Sequence, residues 1–160
     1  VLITNHVLGG ALVGLASPNA PTAFGVGVAS HLAMDLTPHW GDPDQQAFLR
    51  VAIVDGLVGL AVMACVARLA PKERRTAVVA GMLGACLPDA DKPSELFFGR
   101  SPFPAAVDRF HVAIQTESPR RMPQEFLVAS LQLLAYGALI RRAVRSPGRR
   151  RGWGRAAASG

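Results

Sequence analysis

Three long stretches of this chain are almost free of charge, and they limit what it can fold into more than any other feature. Between Arg50 and Arg68 lie 17 residues with a single charge, Asp55; between Glu125 and Arg141 lie 15 with none; between Arg75 and Asp89 lie 13 with none. None alternates apolar and polar as a half-buried strand would, and no internal repeat relates them. The first two are apolar on nearly all sides, so they specify helices with no solvated face, packed into a core or into lipid. Half of the 160 residues are apolar and only 18% are charged, which excludes an intrinsically disordered chain. The excess of Ala, Val, Leu and Gly suits helices in close contact, and Gly9, Gly10, Gly14, Gly56 and Gly59 are the positions expected to allow it.

Helices are predicted over about 2–17, 22–36, 47–69, 73–88, 104–115 and 124–145, from apolar runs and their flanking breakers. Ser17–Pro21 breaks the chain between the first two, and Pro123 marks the start of the last. A span needs about 20 apolar residues, so the runs are marginal in length. Their lack of charged stripes nevertheless favours lipid over a soluble helical bundle, which is the alternative. The fold expected is therefore all-α: a multi-span helical membrane bundle of about five long helices with one short interfacial helix. It forms a single domain over 1–145, followed by a basic, flexible tail at 146–160. The first stretch lacks the basic flank and cleavage site of a signal peptide.

The net charge of +6 belongs to the tail. Arg141, Arg142, Arg145, Arg149, Arg150, Arg151 and Arg155 account for seven of the 17 basic residues, and the remainder of the chain is close to neutral. Because this cluster follows an apolar helix, it points to lipid headgroups and the cytoplasmic side rather than to specific nucleic-acid binding. Alternating helices put eleven basic residues on the side of the tail and six on the other, so the tail side is read as cytoplasmic. Cys65 and Cys86 form no C-x-x-C pair and read as packed apolar residues.

Against this apolar background the histidines and carboxylates stand out. Ser30–Trp40 reads SHLAMDLTPHW: His31 and Asp35 are four residues apart and share a helix face, and His39 follows just past Pro38. Two imidazoles and a carboxylate in nine residues suit zinc, manganese or iron. A second cluster, LPDADK, places Asp89 and Asp91 after the end of an apolar helix, where a D-x-D pair can bind a hard cation. The alternating topology brings His6, His31, Asp35, His39, Asp89, Asp91 and His111 to one end of the bundle. The metal ligands expected are His6, His31, Asp35 and His39. Asp89, Asp91 and His111 are the expected catalytic groups, as a second metal position, general base or general acid. Asp55, a lone charge in an apolar helix, is expected to orient a ligating imidazole from behind. The ion expected is divalent, zinc or manganese. A site at the membrane–water boundary would favour a lipid-linked or other phosphoester substrate. The alternative is a non-catalytic membrane protein, a metal-binding or scaffold element with structural histidines.

These motifs together resemble a family of membrane-bound metal-dependent hydrolases that includes LexA-binding, inner-membrane-associated proteins of bacteria. The shared elements are an early His on the first helix, a Pro-Asp-x-Asp after an apolar helix and a Ser-His-x3-Asp helix followed by a Pro-containing turn. They map onto His6, Pro88–Asp91 and Ser30–Asp35 here. The resemblance covers about 1–111 and implies a small multi-pass protein of the bacterial inner membrane with metal-dependent hydrolase activity. In this chain the Pro-Asp-x-Asp element follows the Ser-His-x3-Asp element instead of preceding it. A Thr-His-Ser element of the family is missing, with His111 beside Arg109 in its place.

Overall fold

The computed structural model describes residues 1–145; the basic tail expected at 146–160 lies outside them. The described chain is all-helical: α1 (Ile3–Ala16), α2 (Ala20–Asp35), α3 (Gln45–Leu69), α4 (Arg75–Cys86), α5 (Asp91–Phe98), α6 (Ala105–Ala113) and α7 (Met122–Arg145). Two short 3₁₀ turns, Leu87–Ala90 and Pro119–Arg121, precede α5 and α7. Local chemistry sets several boundaries. The Asn19 side chain accepts from the Thr22 N–H and starts α2, and Asp44 accepts from the Gln46 and Ala47 N–H groups to start α3. Gly99, in the left-handed region at φ 69°, ends α5.

The tightest packing joins α1, α2 and α4, and glycine makes it possible. A methyl group on Gly10 of α1 or on Gly27 of α2 would collide with the Gly81 carbonyl of α4. One on Gly84 would meet the Phe24 carbonyl, and one on Gly14 would meet the Val78 backbone. The three backbones are in direct contact, which leaves no room for side chains between them. Gly59 packs against Ile3 and Thr4, whereas Gly56 faces open space and serves no contact. Around this triple contact, Val7, Leu8, Ala11, Val78 and Met82 form a core with Val66 of α3 and Tyr136 of α7. The Tyr136 hydroxyl donates to the Val66 carbonyl at 3.1 Å, tying the two long helices together. The Arg74 guanidinium donates to the Ser17 carbonyl at 2.7 Å, meeting the free carbonyl end of α1.

The all-helical expectation holds among the described residues, but the expectation of about five long spans is overturned. One helix, α3, is long and apolar enough to cross a membrane. The others fail for physical reasons. At about 1.5 Å per residue, α1, α2 and α4, with 14, 16 and 12 residues, fall short of a hydrocarbon layer of about 30 Å. The 24-residue α7 is long, but Glu125 and Arg141 bound its charge-free run at 15 residues, which is short of the same thickness. The membrane topology built on those spans loses its support with them, but the helix ends it grouped, with His6, His31, Asp35, Asp89 and His111, do meet. Helix α5, over a segment expected to be loop, is an addition to the helices read from sequence.

Candidate metal centre

Five side chains from four parts of the chain meet at one end of the α1–α2–α4 contact. His6 comes from the first turns of α1, and His31 and Asp35 from the last turns of α2. Asp89 comes from the 3₁₀ turn that continues α4, and His111 from α6. The i,i+4 spacing puts His31 and Asp35 side by side, and the glycine contacts bring the helix ends together around them. His31 Nε2 and His111 Nε2 each lie 2.9 Å from Asp35 Oδ2 and 3.0 Å from one another. His6 Nε2 is 3.3 Å from the other Asp35 oxygen, and the His6 ring stacks on His31 with centroids 3.8 Å apart. Asp89 faces all three Nε2 atoms at 3.8–4.0 Å.

The tautomer of His31 is fixed from behind. Its Nδ1–H donates to the Ala85 carbonyl at 2.7 Å, which leaves the Nε2 lone pair pointing into the cluster. The Gln115 amide donates to Asp35 Oδ2 at 3.3 Å and holds the carboxylate in place. His6, His31, Asp35 and His111 are buried, and the Asp89 side chain is 20% exposed. His6 Nδ1 is buried without a hydrogen-bond partner, and His6 Nε2 has only the long approach to Asp35 at 3.3 Å. An unpaired buried nitrogen is costly, and a cation among these lone pairs and carboxylates would relieve it.

The protonation pattern favours ligation at His6 and Asp35 and sets a proton in competition at His31. Burial pushes the His6 imidazolium down, against the pull of Asp35. Burial also opposes charge on His31, but the bond to Asp35 and the field of Asp89 prevail and raise it. Burial alone would lift Asp35; bonds from His111, His31 and His6 outweigh it and hold the carboxyl well below the usual carboxylate range. Three overlapping sets of side chains have ligand atoms within 4.8 Å of one another: His6, His31 and Asp89; His31, Asp35 and His111; Asp89, Asp91 and His111. These residues could hold a metal ion, with imidazole and carboxylate donors of the kind that bind divalent first-row metals. Asp91 belongs to the outermost set, and Lys92 holds it through Nζ at 2.7 Å and its backbone N–H at 2.8 Å.

Two of the expected residues serve elsewhere. His39 belongs to none of the three sets. Its Nδ1–H donates to the Thr37 carbonyl at 2.8 Å and its Nε2 faces Glu117 at 3.6 Å. Its backbone pairs with Thr116 and Ser118, pinning the loop after Pro38 to the segment after α6. Asp55 reaches from α3 to the start of α1, accepting from the Ile3 N–H at 2.5 Å and the Thr4 hydroxyl at 2.6 Å. It caps a helix other than its own. Glu125, which sequence reasoning passed over as the edge of an apolar run, completes that cap. Fully buried in α7, it accepts from the Leu2 N–H, the Asn5 amide and the Trp40 N–H at 3.1, 2.6 and 3.1 Å. Its position in the first turn of a helix was the available signal, but nothing local points to α1 as its partner.

No family model, curated protein or solved structure matches the chain. The functional reading therefore rests on the side chains themselves.

Proposed function

We propose that this chain is a metal-dependent hydrolase that acts on a phosphoester, lipid-linked or otherwise, at a membrane surface. The observation that carries the reading is the convergence of three imidazole Nε2 atoms and the Asp35 and Asp89 carboxylates in one buried cluster. His6, His31, Asp35 and His111 would hold a divalent ion, zinc or manganese, with Asp89 on the solvent side. Such an ion polarises a phosphoryl oxygen and lowers the pKa of bound water toward neutrality. The chain's own part is to fix that chemistry in place. Ala85 sets the His31 tautomer, Gln115 steadies Asp35, and His6, His31, Asp35 and His111 are held away from solvent. Asp89, the one partly exposed carboxylate of the five, is positioned to take a proton from an attacking water. The resemblance of these motifs to those of membrane-bound metal-dependent hydrolases agrees with that reaction class, and the exposed apolar face of α3 with a lipid neighbour.

Burial supports a second reading. Four of the five groups are almost fully enclosed, as in structural metal sites, which keep no open position. On that reading the ion staples α1, α2, α6 and the end of α4, with no turnover.

Elemental mass spectrometry of detergent-purified protein tests the shared premise. Near-stoichiometric zinc or manganese is expected in the wild type and its loss in His31→Ala and Asp35→Ala, with helicity retained. Wild-type protein that stays metal-free after incubation with both ions sinks both readings. Hydrolysis of p-nitrophenyl phosphate esters by loaded protein separates enzyme from staple.

A further inference from the structure

Lys92 stands out among the basic residues. Among the described residues it is the one lysine or arginine side chain in an ion pair, through Nζ to Asp91 Oδ2 at 2.7 Å. Asp91 is buried and has a carboxylate oxygen within 4.8 Å of ligand atoms of both Asp89 and His111. The ammonium therefore lies one hydrogen bond beyond the ligand set. It is not enclosed: the Lys92 side chain is 41% exposed and that of Asp89 is 20% exposed, and Lys92 lies close enough to feel the Asp89 charge. His6, His31 and Asp35 are fully buried.

Charge gives this placement a consequence. Asp35, Asp89 and Asp91 bring three negative charges to one small volume. A divalent ion and the Lys92 ammonium balance them, so an approaching anion meets no net repulsion. Without the ammonium the mouth of the site is negative, and a phosphate dianion would be turned away. Lysine acts on phosphate as a compact point charge, and this one has donors to spare beyond its bond to Asp91.

We propose that Lys92 is the anion-recognition residue of the centre, pairing with the phosphoryl oxygens of a substrate beside the metal and selecting anionic phosphoesters over neutral esters. The proposal rests on the metal-site reading above and goes beyond it in naming what draws the substrate in.

The test is calorimetric titration of inorganic phosphate into manganese-loaded protein, for wild type, Lys92→Gln and Lys92→Arg, with bound manganese measured in each. Glutamine keeps a hydrogen-bond donor for Asp91 and removes the charge; arginine keeps the charge. Equal manganese in all three is expected, with phosphate affinity about tenfold lower in Lys92→Gln and within about threefold of wild type in Lys92→Arg. Wild-type affinity in Lys92→Gln overturns the proposal, as does a loaded wild type that binds no phosphate. Loss of manganese from Lys92→Gln also overturns it, because Lys92 then serves only to hold Asp91. A wild type without manganese removes the metal site, and this assignment with it.

Discussion

His31 and Asp35 carry the centre at the scale of single residues. Each touches three or more members of the cluster, and His31 alone is oriented from behind by a backbone carbonyl. His39, equally prominent in sequence, faces Glu117. Metal content should therefore vanish in His31→Ala and Asp35→Ala and stay at the wild-type level in His39→Ala. A His39→Ala protein without metal would show that the loop after Pro38 closes onto the site. The same chemistry predicts a pH dependence. Ligation needs neutral imidazole, so metal and proton compete. Asp35 raises the His31 value above the ordinary 6.5, so the proton holds on to higher pH than on a free imidazole. Apparent affinity should rise with pH until His31 is deprotonated and fall as pH drops through its raised value. Competition titrations at pH 8 and pH 6 should show clearly tighter binding at pH 8; equal affinities would exclude His31 as a ligand. Spacing made part of this site visible beforehand. The H-x3-D pair and the D-x-D pair are local patterns with fixed helical geometry. His39 was not separable from them, because Pro38 ends the helical register and the chain's direction beyond it depends on pairing with Thr116 and Ser118.

Elements bring these residues together, and glycine sets how closely the elements approach. Gly81 meets Gly10 and Gly14 of α1, and a methyl group on Gly27 of α2 would strike its carbonyl. Gly81→Ala would force two backbones apart at the floor of the site, at a cost of about 3 kcal/mol or more. Gly56→Ala, with nothing within 4 Å, should be neutral or stabilise the helix by about 0.5–1 kcal/mol. Thermal unfolding of the pair checks this, and equal melting temperatures would mean that the three helices have slack. Glycine content suggested close packing in the sequence, but not which glycines face a partner, since Gly56 and Gly59 differ only in their position around α3. The cap on α1 was still less visible. Glu125 lies 123 residues from the Leu2 N–H it accepts, and Asp55 lies 52 from Ile3. Glu125→Ala removes the carboxylate from three donors and leaves the Leu2 and Trp40 N–H groups unmet, the Asn5 amide keeping the backbone carbonyl of residue 125; it should cost about 2–4 kcal/mol in urea or thermal unfolding, with Glu125→Gln costing less. Equal stability of Glu125→Ala and wild type would show that water replaces the carboxylate.

For the molecule as a whole, the longest apolar surfaces lie on α3 and α7, which supply no member of the polar centre, although α5 and α6 beside that centre also expose Phe97, Phe98, Phe110 and Val112. Ile53, Val54, Leu57 and Leu60 of α3 are each more than half exposed, and Phe126, Leu127, Leu131 and Leu134 of α7 likewise. Burying one such side chain is worth about 1.5–3 kcal/mol, so these faces are costly in water. The single charge in the apolar run of α3, Asp55, points inward to the start of α1, which leaves the outward face of that run, between Arg50 and Arg68, without charge. Intramembrane carboxylates are tolerated where they meet such a partner. At about 1.5 Å per residue the 25 residues of α3 exceed the thickness of a hydrocarbon layer, and α3 is the helix we expect to face lipid. The protein should therefore sediment with membranes and resist carbonate extraction. Lysine at both Leu57 and Leu60 would put two charges on the outward face near the middle of α3, each costing about 2.5–3.5 kcal/mol there. The double variant should move to the soluble fraction or be degraded, while single lysines at Leu36 or Phe97, exposed but outside α3, should leave the distribution unchanged. Wild-type protein released by carbonate would assign these apolar faces to protein partners instead of lipid, and would leave the metal centre to be tested on its own.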